Sequence, residues 1–222
     1  MNPTPDHFIF FQVSSKFSSQ AFAFHKSIAS TNAHIWPRTE TQIKKYAEDG
    51  ELFAVRKAAC GTFVGLCYAT LVGEEWEIGG LAVDDTIQKH HLGSILVRFA
   101  LAHTISFQSP WAVHQHIIAY VHEENPKPRN LLARLEFEHD CQVKIPGTAA
   151  PPSMKRDADG NVVGDKFKYP PKAVAALAKW FDRDLSDISA DESLNATFDC
   201  GPGGFDGIRE TLRAVAQEQT EK

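Results

Sequence analysis

The chain has 222 residues, 43% of them hydrophobic, with a formal net charge of −5 and a pI near 6.0. That length and composition can bury a substantial core in one enzyme-sized domain, while the acidic balance excludes the concentrated basic surface on which nucleic-acid partners rely. No segment reaches the apolar length that spans a bilayer. The N-terminal MNPTPDHFIFFQ has no basic leader before its short apolar run, which argues against a signal peptide. Cys60, Cys67, Cys141 and Cys200 lack CxxC spacing. They are expected as buried or half-buried thiols of a cytoplasmic chain.

In chain order, His7–Val13 reads as a first strand. Phe17–Ser30 and Thr39–Ala47 carry helical patterning, and Leu52–Val55 with Thr62–Leu71 form a strand pair turned through Ala58-Ala59-Cys60-Gly61. The apolar run Ile78–Val83 has strand length, Asp84-Asp85-Thr86 supplies turn and cap chemistry, and Ile95, Leu96, Phe99 and Ala100 recur at helical spacing. Backbone N–H groups from about Lys89 to Ser94 therefore surround a helix N-terminus, where they can cradle a pyrophosphate. Gly79-Gly80 within a strand is locally unfavourable; a bulge or a close backbone approach by a ligand would offset it.

Ile117–Val121 reads as a further strand, with a helix after Asn125 that closes near Leu135-Glu136-Phe137. Beyond Pro146 comes the linker PGTAAPPS, a turn at Asp157–Asn161 and a returning strand at Val162–Tyr169. Pro170-Pro171 introduces a helix with Val174, Leu177, Ala178 and Phe181 on one face, and a second helix spans Phe205–Ala216. There are ten histidines, and His114 and His116 share a face if their segment is extended. With no HExxH and no third ligand, no metal site is expected and the pair reads as a polar edge before the strand.

Gln88-Lys89-His90-His91-Leu92-Gly93 resembles the Q/R-x-x-G-x-G/A motif of the GNAT N-acetyltransferase superfamily, with His91 at the family's first glycine. A strand carrying Glu77 precedes it, and Ile117–Phe137 is similar to the family's later strand–helix unit, with Asn125 near the strand end and Leu135-Glu136-Phe137 in place of L-G-F. The resemblance spans roughly residues 50–145. It implies an α/β (α+β) GNAT fold: a mixed, mostly antiparallel sheet flanked by helices, a catalytic domain over 1–170, and a C-terminal helical extension over 171–222 packed on it. The strands ending near Val83 and Val121 should splay apart to admit the pantetheine arm of a coenzyme A thioester.

By the same resemblance the activity is acetyl-CoA-dependent transfer of an acetyl group to a primary amine of a small molecule or protein. The alternative is a catalytically degenerate acyl-CoA-binding regulatory module on the same fold. Glu77, partly desolvated on its strand, is the implied general base. Leu81, Ala82 and Val83 offer backbone to the pantetheine. Gln88, Lys89, His90, His91, Leu92, Gly93 and Ser94 hold the pyrophosphate, and Asn125 completes the cofactor site. The acceptor walls fall to the Thr31–Arg38 connection, with His34, Trp36 and Arg38, and to the Pro146–Tyr169 excursion. The terminal helices pack on the core, cover the acceptor or join two copies of the chain.

Three positions depart from the family pattern. His91 replaces a glycine, which is tolerable with a negative φ and a Cβ clear of the phosphates. Leu132 stands where many members carry a tyrosine that protonates the leaving thiolate, which leaves the task to Tyr120, His122, water or no acid at all. Glu136 replaces the glycine closing the second helix, at a cost of about 1 kcal/mol if a left-handed residue is needed there.

Overall fold

Alternating burial makes His7–Gln12 a strand, β1, with Phe8 and Phe10 fully buried. The computed structural model describes residues 7–108, 116–148, 150–183, 195–201 and 203–220, with the side chains of Gln88–His90, Gln108 and Thr220 set aside; His114 lies outside this part. After β1 come helices α1 (Ser18–Thr31) and α2 (Glu40–Glu48), then strands β2 (Leu52–Lys57), β3 (Phe63–Val72) and β4 (Glu75–Val83). Thr39 starts α2 with a capping box, its hydroxyl accepting from Gln42 N–H while the Gln42 side chain accepts from Thr39 N–H.

A short 3-10 turn, Asp85–His90, leads into helix α3 (Leu92–His103). Strand β5 (Ile117–His122), helix α4 (Pro126–Arg134) and the hairpin of β6 (Glu138–Ile145) and β7 (Val162–Tyr169) follow. Helix α5 (Val174–Phe181), strand β8 (Asn195–Asp199) and helix α6 (Gly204–Thr220) close the described chain. The eight strands form one sheet in the order β6-β7-β5-β4-β3-β2-β1-β8, antiparallel except at β4–β5 and β1–β8.

Both faces of the sheet are covered, so β2 reads as a continuous apolar run. Its Leu52 and Ala54 pack toward α1 and α2 with Ile43, Leu66 and Tyr68. Its Phe53 and Val55 face the larger core, which gathers Leu96, Phe99, Leu132, Phe181 and Leu212 from the helices on the opposite side.

The C-terminal extension contributes a strand as well as helices. β8 pairs with β1, and Phe198 stacks on Phe10 at 5.1 Å between ring centroids. Among the cysteines, Cys67 and Cys200 are buried, but Cys60 and Cys141 are exposed, against the expectation of four sheltered thiols. No helix among the described residues is long and apolar enough to cross a membrane.

Candidate active site

β4 and β5 pair at only two positions, Trp76 with Ile117 and Glu77 with Ile118. Each strand then runs on, to Val83 and to His122, without further pairing between them. The splay expected from the sequence is present. It opens a cavity of about 340 Å³, with Gly79–Leu81 on one flank and Ala119–His122 on the other. Past Glu77, the β5-facing edge of β4 thus keeps backbone groups with no ladder partner, the kind of edge that accepts an extended ligand.

A bulge sits at the same point. β3 pairs Leu66 with Ala82 but Tyr68 with Gly79, so β4 carries one residue too many and Gly80 takes φ +60°. The parity of β4 flips across it: Trp76 and Ile78 before the bulge, and Leu81 and Val83 after it, all pack on the larger core. The close approach that explains the glycine pair comes from the protein itself. A Cβ on Gly79 would lie 2.4 Å from Tyr68 Oη, and one on Gly80 would lie 2.5 Å from Tyr68 Cε1.

Tyr68 holds the candidate base. Its hydroxyl donates to Glu77 Oε1 at 2.8 Å, and the Arg38 guanidinium donates to the same hydroxyl and lies 3.8 Å from Glu77 Oε1. Burial, then Glu77, pushes the Tyr68 phenol well above its ordinary range, so it remains a donor. Burial opposes the charge on Arg38, but Tyr68, Tyr46 and Glu77 outweigh it and hold its pKa above the ordinary value. Arg38 is itself positioned by a backbone N–H bond to His25 Nε2 at 3.2 Å. Glu77 Oε2 has no hydrogen bond among the described residues, and the side chain lines the cavity.

Leu132 is buried and lines the same cavity, where a tyrosine is the family expectation. Tyr120 also lines it, half exposed, with its pKa raised chiefly by burial. His122 accepts from Glu124 N–H through Nδ1 at 3.2 Å, so its proton is on Nε2, 3.3 Å from the Lys155 carbonyl to which it donates. Both ring nitrogens are therefore engaged.

At the start of α3, His91 takes φ +52°, not the negative φ on which its tolerance was expected to depend. The chain must reverse from the 3-10 turn into the helix, and His is among the residues that enter the left-handed region at modest cost. Glu136 does the same at φ +65°, closing α4 with Phe137 N–H on Leu132 O and Glu136 N–H on Ala133 O. Among the described residues, these two replacements of family glycines are the two non-glycine residues with positive φ.

Leu92 is fully buried, and Ser94 Oγ accepts from Arg98. A Cβ on Gly93 would come within 3.5 Å of Val83 Cγ2 and 3.6 Å of Leu81 Cδ2. These are ordinary van der Waals distances, so Gly93 seats the start of α3 against the end of β4 without a steric need for glycine. Leu81 and Asn125 line the cavity together with Glu77; Ala82 is buried beside β3, and Gln88–His90 contribute backbone to the 3-10 turn. Among the described residues no cluster of His, Cys, Asp or Glu is arranged to hold a metal.

The acceptor-side expectations converge on the same cavity: His34, Trp36 and Arg38 from the α1–α2 connection meet Met154 and Val162 from the excursion after β6. Tyr68 escaped the sequence reading because it sits in an apolar strand. Its one trace in the sequence is the Gly79-Gly80 pair it packs on.

Residues 21–137, just over half of the chain, match the profile of the Acetyltransferase (GNAT) family. Among solved structures, the ribosomal-protein-S18-alanine N-acetyltransferase of Escherichia coli is similar at 16% identity and a TM-score of 0.51, over 73% of this chain and 93% of that one. The diaminobutyrate acetyltransferase of Paenibacillus lautus, solved with L-2,4-diaminobutyric acid and coenzyme A, aligns at 10% identity and a TM-score of 0.56, over 73% and 95%. NAA60 of Arabidopsis thaliana, solved with a bisubstrate analogue, gives 11% and 0.53, over 73% and 97%. At these identities the likeness establishes the fold. No curated protein matches the chain by sequence.

Proposed function

Because the chain belongs to the GNAT acetyltransferase family, we propose that it transfers the acetyl group of acetyl-CoA directly to a primary amine of a small molecule or protein. The observation that carries this reading is the juxtaposition of the β4–β5 gap with Glu77 at its base. The unpaired edge of β4 would take the pantetheine as an added strand along Leu81–Val83. The diphosphate would rest on the N–H groups between Gln88 and Ser94, where the α3 dipole adds partial positive charge, and Asn125 would border the arm. The coenzyme A bound in the diaminobutyrate acetyltransferase structure supports this choice of donor.

In this reading Glu77 takes a proton from the incoming ammonium, directly or through water. The neutral nitrogen then attacks the thioester carbonyl carbon, forming the C–N bond. Collapse of the tetrahedral adduct breaks the C–S bond while its nitrogen gives up the remaining extra proton to the departing sulfur or to water, so that coenzyme A leaves as the thiol or as the thiolate and the amide is neutral. Leu132 has no proton to give and the Nε2 proton of His122 is held by the Lys155 carbonyl, which leaves Tyr120 as the side chain lining the cavity that can supply one; a thiol is acidic enough to depart as thiolate without it. The left-handed corners at His91 and Glu136 preserve the backbone course that glycine serves elsewhere in the family. They keep the cofactor loop and the close of α4 intact, which both transfer and a binding module without turnover require, so turnover with an amine is what separates the two.

Calorimetric titration with coenzyme A tests the reading. We expect micromolar binding, about −8 kcal/mol, with Gly93→Pro weakening it strongly by distorting the α3 start. Absence of binding to the wild-type protein would overturn it.

A further inference from the structure

The cavity narrows the acceptor. Resting on the acetyl-transfer reading above, we infer that the acceptor is a small primary monoamine on an apolar, ring-bearing body, and that Trp36 and Met154 hold that body. The first support is the apolar wall. Trp36 and Ile145 pack on the small cluster of Ala150, Met154 and Val162, drawn from four separate stretches of chain, and Trp36, Met154 and Val162 also line the cavity. Trp36 lines the cavity and is only half buried, so part of its surface remains available to a ligand.

The second support is charge. Of the described residues that line the cavity, Glu77 is the sole carboxylate, and its Oε1 already serves Tyr68 and faces Arg38. A single ammonium can meet Oε2 and lose its proton there. A polyamine, an aminoglycoside or a lysine-rich peptide would bring a second cation into an apolar chamber that offers no second anion and already contains the Arg38 guanidinium, a desolvation cost with nothing to offset it. An amino acid's carboxylate would look to Arg38, whose Nη2 is already engaged by Tyr68 and faces Glu77 and whose Nε, though unpartnered, is buried, so the carboxylate would first have to uncover that nitrogen. The apolar wall also favours the neutral form of a bound monoamine, which is the nucleophile.

The test measures coenzyme A release across a panel at saturating acetyl-CoA: 2-phenylethylamine and tryptamine against spermidine, kanamycin, free lysine and a short peptide with an N-terminal alanine. Binding of 2-phenylethylamine to the complex with coenzyme A is followed in parallel. The expected result is a kcat/KM for the arylalkylamines about a hundredfold above the others, and a KM for 2-phenylethylamine raised about tenfold in Trp36→Ala and largely restored in Trp36→Phe, with coenzyme A affinity unchanged. Turnover that favours spermidine, kanamycin, lysine or the peptide would overturn the acceptor assignment and leave the transfer reading standing. So would an unmoved KM in Trp36→Ala, or a lack of saturable 2-phenylethylamine binding to a protein that does bind coenzyme A. Failure to bind coenzyme A would overturn both.

Discussion

Tyr68 donates its phenolic hydrogen to Glu77 Oε1 at 2.8 Å from the neighbouring strand, and the ring reaches that position because Gly79 and Gly80 present no Cβ to it. The carboxylate is thereby fixed at one oxygen and left open at the other. The bulge that accommodates the ring lies just beyond Glu77, the last residue of β4 paired with β5, so base, bulge and gap are neighbours on one strand.

Removing the hydroxyl should leave the ring and the bulge in place while freeing Glu77 and Arg38 to pair directly. Tyr68→Phe is expected to lower kcat by about tenfold and to shift the acidic limb of the pH–rate profile, with coenzyme A affinity unchanged. A wild-type kcat and profile would show that the bond only stabilises the fold.

The parts of the fold legible in the sequence are those where one local signal dominates. Val162–Tyr169 is seen as a strand with the ends it has, and the Thr39 cap sets the start of α2. β6 was not anticipated because its residues, Glu138 to Ile145, are exposed or half-exposed throughout, and an edge strand without a buried face has no alternation to read. β8 follows from a tertiary event, the packing of Phe198 on Phe10 from 188 positions along the chain, which no local pattern encodes. At the site, Glu77 and the α3 start were visible through motif and context, whereas Tyr68 and the Arg38 contact depend on cross-strand register. The sign of φ at His91 is not legible in the motif because it is set by the reversal from the 3-10 turn into α3 and not by clearance from a ligand.

Leu132→Tyr places a phenol in the lining of the cavity that Glu77 also lines. Since a thiolate can depart unaided, the rate should stay the same or rise modestly, by less than about tenfold. Stopped-flow release of coenzyme A measures it, with Tyr120→Phe as the companion variant. A severe loss with intact cofactor binding would mean that Leu132 packs against the reacting groups.

His103 predicts how stability responds to acid. It is buried among Phe53, Phe99 and Phe107, and burial pushes its pKa from 6.5 down to about 4. Between those values the unfolded chain binds a proton that the folded chain does not. Stability is therefore full above pH 6.5 and falls as pH drops toward 4, by about 3 kcal/mol from this group. His25, whose pKa burial also lowers, adds in the same direction. Urea midpoints between pH 7.5 and 4.5 should fall steeply in the wild type and less so in His103→Leu; parallel slopes would remove His103 as a cause.

The most direct test of acetyl transfer at this site is Glu77→Gln, an isosteric change that keeps an acceptor for the Tyr68 hydroxyl and removes the base. Calorimetry and steady-state turnover with an accepted amine are measured on the same preparation. The account predicts unchanged coenzyme A affinity with turnover lowered about a hundredfold or more at neutral pH and the acidic limb of the pH profile lost. Wild-type turnover in Glu77→Gln would contradict it, and would make the carboxylate a structural partner of Tyr68 and Arg38.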